Sequence, residues 1–144
     1  MGKKLIRGRR NRVDIEFEIK FYEEILKKAP NFIEALIVLG DLYTKTSRYK
    51  EGLEIDKRLL KLRPDDPTVL YNLACSFSLM KHIDESLTLL KAAVEFGYDD
   101  FEYMQYDEDL TNLREDSRFK GFLSNVINRR HSHSSASNVH GQTI

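Results

Sequence analysis

Between residues 33 and 66 the apolar positions fall at spacings of three and four. Leu36, Leu39, Gly40 and Tyr43 form one stripe; Gly52, Leu53, Leu59 and Leu60 form a second, and Pro64 follows. At 3.6 residues per turn each set shares one helix face, so the stretch predicts two helices with a turn near Ser47. The small residue at Gly40 lets them approach closely. A shift of 34 residues repeats the pattern: Leu70, Leu73, Ala74 and Phe77, then Ser86 and Leu87, with Asp99-Asp100 standing where Asp65-Asp66 stood. The second unit, 67–100, starts on Asp66 as a cap and Pro67 at the first helical position, where no amide donor is missed. It turns near Lys81-His82, continues through Ile83, Leu87, Leu90, Ala93 and Val94, and stops at Gly97, a residue tolerant of positive φ.

The flanks carry single helices. Residues 14–29 place Ile15, Ile19, Tyr22, Ile25 and Leu26 on one face, with Asp14 as the expected cap. Pro30 precedes Pro64 by 34 residues, which makes this helix, within a unit at 13–30, the second half of a repeat whose first helix is missing. Asn31 is placed to cap the helix that follows. Beyond residue 99 the chain turns acidic. Phe101 and Met104 begin another first helix that soon breaks. Leu110, Leu113 and Phe119 are placed to cover the open end of the core, Asp109 and Asp116 to cap short helices, and Arg114 or Arg118 to pair with carboxylates. A last stripe, Phe119, Phe122, Leu123, Val126 and Ile127, predicts a terminal amphipathic helix. It either caps the second repeat or forms a dimer face. Residues 130–144 lack periodicity and are rich in Ser, so disorder is expected.

A 34-residue period of helix pairs with Leu, small and aromatic residues at fixed places resembles the tetratricopeptide repeat over roughly residues 14–106. Leu36 and Leu70 stand where Trp is typical of that family, Asp56 where an aromatic is expected, and Tyr98 where the second repeat would have its proline. The run Asp107, Asp109, Leu110, Leu113, Arg114, Asp116, Arg118 and Phe119 is similar to a segment that closes many bacterial proteins of the family. The resemblance implies an all-α solenoid of antiparallel helix pairs, with repeats at 33–66 and 67–100 inside a unit spanning 31–129.

It also implies a concave groove lined by the first helices. Carried over by position, the groove residues are Glu34, Ile37, Asp41 and Thr44, then Thr68, Tyr71, Cys75 and Ser78, with Asn72 beside them. Glu102, Gln105 and Asp109 are candidates in the third half-repeat. One subset of the family grips acidic chaperone tails with basic residues and asparagines. Here Asn72 matches, but Ile37, Asp41, Glu102 and Tyr106 occupy the other places, so that clamp is not expected. The implied function is a non-catalytic adaptor that binds another protein's peptide or helix segment, one bearing Lys or Arg and an apolar anchor.

Composition changes this picture little. The 144 residues carry 23 basic and 23 acidic side chains, a formal charge of zero. Nothing global points to nucleic acid, and no run has the length of a membrane span. One cysteine, Cys75, permits a reducing compartment, and cytoplasmic residence is the expectation. Residues 1–12 form a flexible basic arm with Lys3, Lys4, Arg7, Arg9, Arg10 and Arg12 and no acid. Docking on nucleic acid or a ribonucleoprotein through this arm is the alternative function, and a solvated terminus the plainer reading. Neither a cofactor motif nor a catalytic set emerges. His131, His133 and His140 sit in a tail without fixed geometry, so no metal site is expected. Cys75 and His82 are two turns apart, about 10 Å along a helix, too far to hydrogen bond.

Overall fold

The computed structural model describes residues 11–139, with side chains through residue 134. Lys3, Lys4, Arg7, Arg9, Arg10 and His140 lie outside them. The described chain is helical and contains no strand: α1 (Arg12–Lys28), α2 (Ile33–Lys45), α3 (Tyr49–Leu62), α4 (Pro67–Leu79), α5 (Ile83–Glu95), α6 (Phe101–Tyr106), a 3-10 turn (Glu108–Leu110), α7 (Thr111–Arg114) and α8 (Ser117–Val139). α2 packs on α3 and α4 on α5 as antiparallel pairs. α1 stacks before the first pair, and the segment after α5 folds back on α4. This is the all-α solenoid of helix pairs that the sequence predicts.

The repeat is visible in the backbone. Ser47 and Lys81, 34 positions apart, both adopt positive φ, 61° and 62°. Each ends a first helix the same way: Arg48 N donates to Tyr43 O at 2.8 Å and His82 N to Phe77 O at 2.9 Å. Gly97, at φ 113°, ends α5 likewise, with Tyr98 N donating to Ala93 O at 2.9 Å. This left-handed cap satisfies carbonyls that a helix end leaves orphaned. A side chain in that region is strained by roughly 1–2 kcal/mol, against about 0.5–1 for the greater freedom of Gly in the unfolded chain. Ser47→Gly and Lys81→Gly are therefore each expected to stabilise by about 0.5–1 kcal/mol, and Gly97→Ala to destabilise by a similar amount. Urea unfolding midpoints check all three.

Two clusters make the core. Ile19, Leu26, Leu36, Leu39 and Leu59 anchor the first. Leu70, Leu90, Met104, Leu110, Leu113 and Phe119 belong to the second, and half-buried Leu60 touches both. A Cβ on Gly40 would lie 3.2 Å from Ile55 Cγ2, so α2 and α3 approach closely there and a larger residue would have to push Ile55 aside. Tyr43 Oη donates to Glu23 Oε1 at 2.7 Å and ties α2 to α1.

Several local expectations are corrected. Asn11, not Asp14, caps α1, its side chain accepting from Val13 N; Asp14 sits in the first turn, where its charge suits the helix dipole. Arg12, placed in the basic arm by its charge, is the first residue of α1. Phe32 is the N-cap of α2 and makes no side-chain cap hydrogen bond, so Asn31 plays no such part. Asp107, rather than Asp109, caps the 3-10 turn by accepting from Asp109 N. Of the two arginines offered for carboxylate pairing Arg118 makes it, while Arg114 reaches the carbonyls of Met104 and Asp107, at 3.0 and 2.7 Å. Phe77 is only half-buried, beside the His82 ring. α8 runs to Val139, past Ile127 where the apolar stripe ends and past residue 129 where the unit was expected to stop, because a helix satisfies its own backbone without packing. Asp66, Pro67, Asp116 and Arg118 behave as expected: Asp66 caps α4 with Pro67 following, and Arg118 bridges Asp116 at 2.9 Å and Asp84 at 2.8 Å.

Candidate functional site

Glu34, Ile37, Asp41 and Thr44 fall on one side of α2 by their spacing of three and four. Glu34 and Asp41 are exposed, Ile37 is 48% exposed, and Asp41 pairs with Lys45 at 2.7 Å. Facing them across the groove is α4. Between the two helices lies a cavity of about 300 Å³, with Ile37, Val38, Asp41 and Thr44 on one wall and Asn72, Cys75, Ser76 and Leu79 on the other. Gly40, Asp56 and Leu59 also line it, and Asp109 contributes from the 3-10 turn.

Asp56 is the buried acid of this cavity, 8% exposed. Ser76 Oγ donates to its carboxylate. Burial pushes its pKa up from 3.8 to about 6, and the Ser76 hydrogen bond opposes that only in part. Asp109 is half-buried and also raised, first by desolvation and then by the charges of Asp107, Asp41 and Glu108. Asp41 of α2 and Asp109 of the closing segment line the same cavity. Cys75 is buried, and desolvation followed by the Asp107 charge lifts its thiol well above the ordinary range, the reverse of a reactive cysteine.

The second half of the expected groove is filled by the chain itself. Tyr71 is buried, its hydroxyl donating to Asp107 Oδ2 at 2.6 Å and its ring stacked on Tyr98 with centroids 4.1 Å apart. Cys75 Sγ is 3.7 Å from the same carboxylate oxygen. Ser78 is fully buried: its hydroxyl accepts from Leu113 N at 3.1 Å, and its carbonyl accepts from Asn112 Nδ2 at 2.9 Å. These three residues therefore hold the closing segment, and Tyr71 and Ser78 offer no free surface. Thr68, Glu102 and Gln105 are exposed but stand outside the cavity, as does Glu34. Ile37, Asp41, Thr44, Asn72 and Cys75 of the expected set are brought together there, with Asp109. Asp56 and Ser76 were not expected. The only signal for Asp56 was an acid where the repeat pattern calls for an aromatic.

No family model matches this chain. It is 33% identical over 87 residues to a chloroplastic protein of Arabidopsis thaliana, a match covering 58% of this chain and 26% of that protein. Among solved structures it is similar to MamA 41-end from Desulfovibrio magneticus RS-1, with a TM-score of 0.66 at 18% identity over 83% of this chain and 68% of that one. A MamA RS-1 ArsTM double mutant matches equally, at 0.66 and 19% identity, over 85% and 69%. The fold is tetratricopeptide-like. At such identities the likeness concerns the fold. The chain spans about a quarter of the length of the plant relative, so that protein's biology does not transfer with the match. Among the described residues no helix is long and apolar enough to cross a membrane.

Proposed function

We propose that the protein is a non-catalytic adaptor that holds a segment of another protein in the groove between α2 and α4. The observation that carries this reading is the make-up of the cavity. Its walls are aliphatic, from Ile37, Val38, Leu59 and Leu79, while Asp41, Asp56 and Asp109 supply three carboxylates, and Lys45 pairs with Asp41 at the edge. Such a lining suits a Lys or Arg side chain, whose methylene stem lies along apolar surface while its head meets the acids. The helix-pair architecture supports the same reading, since stacked repeats present extended concave surfaces for other chains.

An enzyme reading has little to work with. Cys75 is buried and its thiol raised, the His82 ring lies against Phe77, and among the described residues no group of three His, Cys, Asp or Glu is close enough to hold a metal ion. The compartment in this reading is the cytoplasm.

Asp41→Lys is the direct test. Its side chain is exposed, so the fold tolerates the change, and reversing a charge at the cavity mouth is expected to weaken a captured basic partner at least about tenfold. Glu34→Lys, outside the cavity, is expected to have a smaller effect. Isothermal titration with the captured partner measures both. Unchanged affinity in Asp41→Lys overturns the groove assignment.

A further inference from the structure

The array repeats one seat for a helix. On α3 and α4 it is made by Gly52, Ile55, Asp56, Cys75 and Ser76, and α2 lies in it: a Cβ on Gly40 would come 3.2 Å from Ile55 Cγ2, and one on Gly52 would come 3.3 Å from Thr44 Oγ1. The acid-lined cavity is the space that α2 leaves unfilled there. Counting back 34 residues gives Glu18, Phe21, Tyr22, Asp41 and Leu42, which line a recess of about 550 Å³ between α1 and α2. Among the described residues no helix stands before α1, so this seat is open. Its residues differ from those of the filled one. Glu18 stands at the Gly52 place and Phe21 at the Ile55 place, and both hold an incoming helix farther off than α2 lies from α3. Phe17 stands at the edge, where one and two repeats on the chain has the exposed acids Glu51 and Glu85. The lining is mixed, with aromatic and aliphatic side chains beside Glu18, Asp41 and Lys45. Extended chain suits such a lining. It is slimmer than a helix, and its backbone N–H and C=O groups need polar neighbours.

We propose that the partner segment held in the α2–α4 cavity continues across α2 as extended chain and sets an aromatic side chain in the α1–α2 recess, against Phe21. This rests on the adaptor reading and adds a second anchor to it. The two spaces are contiguous, since Val38 and Asp41 line both. Charge complementarity fixes the first anchor. Glu18, Asp41, Asp56 and Asp109 line the joined surface against the single cation Lys45, so the segment brings a Lys or Arg to the cavity. The second anchor follows from the rings of Phe17 and Phe21, 72% and 53% exposed, which offer an aromatic side chain edge and face contacts. A helix is about 10–12 Å across and an extended residue spans about 3.3 Å, so the two anchors stand about three or four residues apart. The recognised feature is a basic and an aromatic residue at that spacing, not basic charge alone.

A phage-displayed library of random peptides panned on the full chain tests this. The enriched peptides are expected to pair Lys or Arg with an aromatic residue at that spacing. Asp56 lines the cavity alone and Phe21 the recess alone, so each anchor has its own variant. In fluorescence anisotropy with an enriched peptide, Asp56→Asn and Phe21→Glu are each expected to raise the dissociation constant at least about tenfold. Replacing the peptide's aromatic residue with Ala is expected to cost as much on the wild-type chain and to add little on Phe21→Glu, the non-additivity of two groups in contact. Phe21 is exposed, so the circular dichroism melt of its variant is expected to match the wild type. Peptides that weaken with Asp56→Asn but ignore Phe21→Glu overturn this proposal and leave the adaptor reading standing. A library that yields no peptide, or only peptides indifferent to both variants, overturns the two together.

Discussion

Replacing Asp56 with Asn is expected to raise stability at pH 7 by about 3 kcal/mol and to leave it unchanged below pH 4. The carboxyl titrates at 3.8 when unperturbed and at about 6 in the folded protein, chiefly because burial disfavours its charged form. Between those values the native state holds a proton that the unfolded chain has lost. Stability from this group is therefore complete below pH 3.8 and falls as pH rises through 6. At about 1.4 kcal/mol per pH unit the span from 3.8 to 6 gives the figure of about 3. Asn keeps an oxygen to accept from Ser76 Oγ and never ionises. Urea unfolding at pH 4, 5, 6 and 7 measures the effect. Subtracting the wild-type curve from the variant curve removes the other titrating acids, Asp109 and Asp116 among them. A difference that stays flat from pH 4 to 7 would mean that Asp56 does not carry its charge at a disadvantage in the folded protein.

The same variant ties stability to the proposed function. An ionised carboxylate in a small cavity is a liability unless a cation meets it. Asp56→Asn is expected to gain stability and to lose affinity for a basic partner, the trade that a site held under electrostatic tension makes.

The sequence reaches far into this fold, and where it stops has physical causes. Leu36 and Leu70, Gly40 and Ala74, and Ser47 and Lys81 recur at one period because each pair of helices meets the same packing problem. A helical face is a local property of spacing, so stripes and turns could be read directly. The closing segment is different. Whether Asp107 folds onto Tyr71 or stands in solvent depends on how a non-repeating stretch returns across α4, and no periodicity encodes a return path. Tyr71, Cys75 and Ser78 thus carry the spacing of groove residues yet spend it on the protein's own chain. Asp56 was visible as an acid out of place, but its partner Ser76 sits on another helix, 20 residues away. Caps were half legible. Asp66 before Pro67 announces a helix start, whereas Asn11 and Asp14, or Asp107 and Asp109, are rivals that only the backbone geometry separates.

Leu113→Ala is expected to destabilise the chain by about 2–5 kcal/mol, the range for deleting a buried Leu and leaving a cavity. Leu113 is fully buried, as are Leu110 and Met104, and Phe119 is 3% exposed. Together they close the second core cluster, which without them would end in an open apolar face against α4 and α5. Stacked repeats need such an end, because each repeat buries its apolar side only against a neighbour. The backbone of Leu113 is also tied down, its N–H donating to the buried Ser78 hydroxyl at 3.1 Å. A loosened cap therefore threatens a polar contact as well as the apolar seal. Against a total of about 5–15 kcal/mol for a native domain, the loss is a large share. Tyr106→Ser, on the same segment but 73% exposed, is expected to stay within about 0.5 kcal/mol and serves as the control. Urea midpoints give both numbers, and amide exchange locates the damage. Faster exchange centred on α4, α5 and α8 is the expected pattern. An L113A chain as stable as the control would show that the closing segment is an ornament on a core already complete.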